Sequence, residues 1–163
     1  MLLLAYGIIY LPPVRSYAIG PFTEGITHLS GWLIQLLGGA AEVSDNMLTV
    51  NPLSANKFTV LVLDMCNGVE ATVFLWAAIL AFPAPMLYKI KGLLIGTLTV
   101  HFLNIIRIIS LVYLGVYKSD WFHWVHWYVW DALIMLDILI VFLAWIRLMP
   151  LRREKPLGEA SVV

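Results

Sequence analysis

Charge is what this chain has least of. Only 12% of its 163 residues are Asp, Glu, Lys or Arg, and ten basic residues balance ten acidic ones. About a quarter of the residues of a soluble domain are charged, so a water-soluble globule of this size is a poor reading. Zero net charge also removes the electrostatic footprint of a nucleic-acid-binding protein. Cysteine is nearly absent: Cys66 stands alone, which excludes an intramolecular disulfide and a CxxC redox pair. Internal repeats and low-complexity tracts are missing too. What the chain has is apolar surface, 61% of its residues, in long runs broken by short polar clusters. That is the pattern of a chain embedded in a lipid bilayer.

Three runs, 64–86, 92–116 and 124–148, each reach the ~20 residues that cross ~30 Å of hydrocarbon. The expected fold is an all-α integral membrane protein, a multi-helix transmembrane bundle forming one membrane domain over 1–150. "FPAPMLYKIKG" separates the first two runs, and its prolines favour a helix end. Lys89 and Lys91 there, and Arg147, Arg152, Arg153 and Lys155 after the third run, mark cytoplasmic ends. Cys66 and the "VYKSDWFHW" loop then face outward, with Trp121, Trp124, Trp127 and Trp130 as an interfacial aromatic belt. "MLLLAYGIIYL" lacks the basic region of a cleaved signal peptide and reads as part of a short first crossing near 1–20. Arg15 sits uncomfortably on its outer side. Residues 21–63 read as an extracytoplasmic segment. It holds a small interfacial helix in 22–40, with Ile26, Leu29, Leu33, Leu36 and Leu37 at helical spacing, then a hairpin of 47–50 with 57–63 around "NPLSAN". Residues 151–163 read as a cytoplasmic basic tail.

Helical rise converts positions into depth. Cys66 lies ~27 Å above Ala84, Arg107 ~24 Å above Lys91, and His126 ~31 Å above Arg147, at 1.5 Å per residue. A cysteine, an arginine and a histidine from three helices thus share one level, at the outer rim of the bilayer. An arginine inside a spanning helix costs ~2.5–3.5 kcal/mol even on the mild insertion scale. Arg107 in "NIIRIISLVYL" therefore needs a partner, a task, or a route for snorkelling to headgroups. Asn104, one turn away, is either inter-helix glue or part of a site. Cys66 is either an inert small hydrophobe or a thiolate favoured by a helix N-terminus and a histidine at its level. Asp64 and Glu70 oppose that thiolate; Asp64 reads as a helix cap and Glu70 as a group that orients or packs. Gly68 marks a bend or a close approach.

Deeper down, Asp137 and His101 both lie ~15 Å above the inner basic residues, and a carboxylate at that depth normally finds a partner. The expectation is that Asp137 meets His101 and orients the helices that carry Arg107 and His126. His123 and His126, three residues apart, share a helix face. They allow a metal-binding reading together with Cys66; a second alternative is a non-catalytic, transporter-like subunit with Arg107 and His126 lining a polar cavity. No metal or other cofactor is expected.

"CNG", "NIIR" and "HWYVW", in that order on three successive helices, resemble the exosortase/archaeosortase family of membrane cysteine transpeptidase-proteases. "DMCNGVEATVFLWAAILAFPAP" and "WYVWDALIMLD" look most like its exosortase H branch. The resemblance implies that Cys66 is the nucleophile, Arg107 the family arginine and His126 the family histidine. Asn67 stands where many relatives have serine. It further implies a substrate: the C-terminal sorting signal of exported proteins, made of a motif, a transmembrane helix and a basic cluster. Cleavage would pass through a thioester resolved by water or by an unidentified amine acceptor. The enzyme would sit in the cytoplasmic (inner) membrane, its site on the extracytoplasmic (periplasmic) side. The remaining partner is the bilayer itself, with no nucleic acid.

Overall fold

The computed structural model describes Gly7 and residues 11–149. Most of the expected first crossing near 1–20, and the tail at 151–163, lie outside the described residues. The described chain is mainly helical with one small sheet.

Within residues 11–149, helix starts at two prolines. Pro12–Val14 is α-helical, with proline at the first positions, where a missing N–H is tolerated. Arg15–Ile19 is a π-helical turn, and Gly20–Leu36 continues as α1. Pro21 cannot donate to the preceding turn, and a π segment immediately before it absorbs the mismatch. The boundary expected between residues 20 and 21 thus falls inside continuous helix.

The expected apolar stripe of α1 is split between inside and outside. Thr23, Thr27, Ser30 and Gly31 are buried with Ile26 and Ile34, while Leu29, Leu36 and Leu37 are 43%, 67% and 73% exposed. Thr23, Thr27 and Ser30 each donate to the carbonyl four residues earlier, so no hydroxyl is left unsatisfied. Small residues on the buried face let α1 approach its neighbours closely.

The expected hairpin is a three-stranded antiparallel sheet, β1 (Ala41–Ser44), β2 (Met47–Val50) and β3 (Phe58–Leu61), in the order β1-β2-β3. The all-α expectation is corrected to this extent: β1 was hidden because "AEVS" is too short and too polar to stand out as a strand. Leu48, Val50 and Val62 pack with Ile26, Ile34, Ile108 and Val112 as an outer core.

Three further helices follow. α2 is Val69–Ala81, 13 residues, about 20 Å at 1.5 Å each, so the crossing expected over 64–86 is shorter than a membrane. A 3-10 turn at Asp64–Cys66 and the left-handed Gly68 occupy its expected first turn, and Pro83 and Pro85 cut the other end. Lys89 Nζ closes that end by donating to the Leu80 carbonyl at 2.7 Å. α3 is Met86–Tyr117, 32 residues with Pro85 at its N-cap, so it begins before the expected 92 and includes Lys89 and Lys91. Gly92 does not break it; the indole of Trp145 lies where a side chain at 92 would go. α4 (Ser119–Trp124), a π-helical segment Val125–Val129 and α5 (Trp130–Arg147) run on in sequence. Among the described residues, two helical runs, Met86–Tyr117 and Asp120–Arg147, are long and apolar enough to cross a membrane. An inner core joins α2, α3 and α5 through Ala71, Leu75, Ile79, Val100 and Trp145.

Candidate active site at the junction of the two cores

Between the outer core and the inner one, α3 passes with its most polar stretch. Arg107 and Asn104 are buried there, at 3% and 4% exposure. Gly68 lies against this stretch with φ +82°, and a β-carbon added to it would stand 3.3 Å from Asn104 Cγ and 3.3 Å from His101 Nδ1. Only glycine adopts that backbone readily. The bend lets the segment before α2 turn back over α3 and carry Cys66 to the cavity.

Asn67 pins this turn. Fully buried, it donates from Nδ2 to Thr23 Oγ1 at 2.9 Å and accepts from the Val69 N–H at 2.9 Å. Asp64 makes no side-chain cap. Instead it accepts from Arg15 Nε at 2.6 Å and approaches Thr23 Oγ1 at 3.4 Å. The cap expected of Asp64 is thus an ion pair with the one arginine that had no place in the sequence reading. Both devices hang the cysteine turn on α1.

Cys66 Sγ and His126 Nε2 are 3.7 Å apart, thiol–imidazole contact across 60 residues of chain. His126 lies in the π-helical segment, a widened turn of a kind often found at functional sites, and the Phe122 ring stacks on it at 5.9 Å. Cys66, Gly68, Glu70, Arg107, His126 and Trp127 help to line one cavity of about 290 Å³. The three residues inferred to share a depth are therefore in one place. Glu70 is on the cavity wall with them. The side chain of His123 lies outside the described residues. Among the described residues, no three His, Cys, Asp or Glu side chains converge as a metal site would require.

His101 and Asp137 do not pair directly. His101 Nε2 is 3.4 Å from Thr72 Oγ1, Phe22 packs edge-on against its ring at 5.1 Å, and its Nδ1 has no hydrogen-bond partner. Asp137 faces a small void of about 20 Å³ with Asn104 and Arg107. Equal depth on two helices does not fix azimuth: α1, invisible to the depth calculation, supplies the neighbour of His101. The Asn104 amide, also without a hydrogen-bond partner, lines the same void, which is about the size of one water. Sequence reasoning missed Thr72, Thr23 and Phe22. The mismatch of Arg15 was the one available signal for the α1 contact.

The two helical runs long and apolar enough to cross a membrane thus carry a buried guanidinium and an imidazole that line one cavity with the lone thiol. The model for "Transmembrane exosortase (Exosortase_EpsH)" matches residues 1–150. The chain belongs to the transmembrane exosortase family, a family of sorting transpeptidases. Comparison with curated proteins and with solved structures gives no match.

Proposed function

We propose that the protein is a thiol protease/transpeptidase that cleaves the C-terminal sorting signal of exported proteins at the outer face of the cytoplasmic membrane. The 3.7 Å approach of Cys66 Sγ to His126 Nε2 is the observation that carries this reading. His126 takes the thiol proton, and the sulfur attacks the scissile carbonyl. The tetrahedral oxyanion needs a positive donor in a dry site, and Arg107, buried on the same cavity, supplies one. On collapse His126 returns the proton to the leaving amine, the tail departs, and a thioester remains on Cys66. Water or an amine from an envelope component resolves it. The cavity opens within a helical assembly at bilayer depth, so a membrane-anchored chain reaches it without leaving the lipid.

The test is processing in membranes. Exported host proteins ending in a single spanning helix and a basic cluster are expressed with wild-type protein or with Cys66→Ala. At least one is shortened by the wild type and left whole by the variant. Shortening that persists with Cys66→Ala sinks the thiol mechanism. A second reading, a polar-cavity subunit without catalysis, predicts a harmless Cys66→Ala.

A further inference from the structure

Directly below the Cys66 cavity an apolar groove of about 770 Å³ runs between α2 and α5. Phe74, Met135 and Ile138 wall both spaces, so the groove abuts the cavity. Its α2 side offers Ala77, Ala78 and Ala81. Its α5 side is barely covered: Met135 and Leu139 are 64% and 50% exposed. We propose that this groove is the docking site for a membrane-spanning helix of the substrate, the segment that follows the scissile bond.

The occupant follows from the surroundings. The groove runs along α5, part of a helical run long and apolar enough to cross a membrane; in hydrocarbon, backbone polar groups must be satisfied within the occupant itself, so a polypeptide seated there is helical. Alanines on one wall admit the close backbone approach by which helices associate in lipid. The outer end abuts the cavity that Cys66, Arg107 and His126 line, so a helix lying in the groove brings its outer flank to Cys66. Five residues of α2 from Val69 to Phe74 put the groove's top about 7.5 Å below the start of α2. Some two to three extended residues, at about 3.3 Å each, bridge that gap. The substrate helix would descend parallel to α2 and α5, both of which also run from the Cys66 end downward. A second copy of this chain in the groove would stand between the substrate helix and the site. This inference rests on the peptide-cleaving reading above, and its test separates the two.

A photo-crosslinking residue is placed at Ala78 or Leu139 in the groove, or at Leu98 of α3, which is 71% exposed and away from it, all in the Cys66→Ala chain. The probes are tagged extracytoplasmic domains fused to the last 40 or so residues of the host tail proteins. The expected result is capture of a fusion through its spanning helix from positions 78 and 139, at least tenfold above position 98. Ala78→Trp then lowers capture from position 139 at least tenfold. In the chain that retains Cys66, Ala78→Trp leaves iodoacetamide modification of the thiol within twofold. Adducts of lipid alone, adducts of a second copy, or equal capture at position 98 overturn the groove. Cys66-dependent shortening without groove capture overturns the docking site and leaves the function standing; groove capture without shortening does the reverse.

Discussion

Replacing Gly68 with alanine adds one methyl group at the point where the cysteine turn meets α3. The φ of +82° puts an L-residue in the left-handed region, at about 1–2 kcal/mol. The new carbon meets Asn104 Cγ and His101 Nδ1, both at 3.3 Å. That is a tight contact, and it pushes on a buried stretch with little room to yield. The reduced freedom of the unfolded chain returns roughly 0.4–1 kcal/mol only where the native backbone suits alanine, which is not the case here. The expected net loss is about 1–2 kcal/mol, a fall in Tm of roughly 2–8 °C for a chain of this size. The control is Gly25→Ala in α1: nothing lies within 4 Å of its added carbon, and alanine in mid-helix is favoured over glycine by roughly 0.5–1 kcal/mol. Thermal unfolding of both variants in mild detergent, followed by circular dichroism, should show Gly68→Ala clearly below the wild type and Gly25→Ala at or above it. Equal melting of the two would refute the claim that the turn is conformationally committed. Iodoacetamide modification of Cys66 should also change in Gly68→Ala and not in Gly25→Ala.

Other expectations follow from the same geometry. Asn67→Ala removes the bonds to Thr23 and Val69 and should lower stability by about 1–3 kcal/mol, at 0.5–1.5 per bond; Asn67→Asp, which keeps the acceptor for Val69, should fall between it and the wild type in the same melting assay. With comparable expression shown first, His126→Ala should eliminate processing of a matched tail protein and His123→Ala should leave a substantial fraction, as read on immunoblots. A membrane-impermeant maleimide added to intact spheroplasts should label Cys66 and fail with Cys66→Ser; labelling confined to inverted vesicles would reverse the proposed orientation.

The gathering of Cys66, Arg107 and His126 was legible because helical rise is fixed and basic loops supply a common zero. The helix limits were not. The expected 64–86 helix lost its first turn to Gly68, whose backbone conformation no hydrophobic pattern reports. The 92–116 helix gained nearly two turns at its start because Pro85 starts a helix as readily as it ends one. The α1 helix was legible from its apolar spacing, but which of those positions are buried was not: Ile26 is buried and Leu29, Leu36 and Leu37 are exposed. His101 and Asp137 form no direct bond, because depth fixes height and leaves rotation about the helix axis open. Strand β1 and the Arg15–Asp64 pair depend on contacts between segments far apart in the chain, which local patterns do not encode.

The acyl-enzyme itself offers the most direct test of the proposal that Cys66 is the nucleophile. Wild-type protein is incubated in membranes with a tail fusion that it shortens, quenched in acid, and digested for mass spectrometry. The Cys66 peptide should carry the fusion's new C-terminal fragment through a bond that neutral hydroxylamine cleaves, and His126→Ala should show none of it. Efficient shortening with an unmodified Cys66 peptide at every time point, and with full activity in Cys66→Ala, would contradict it.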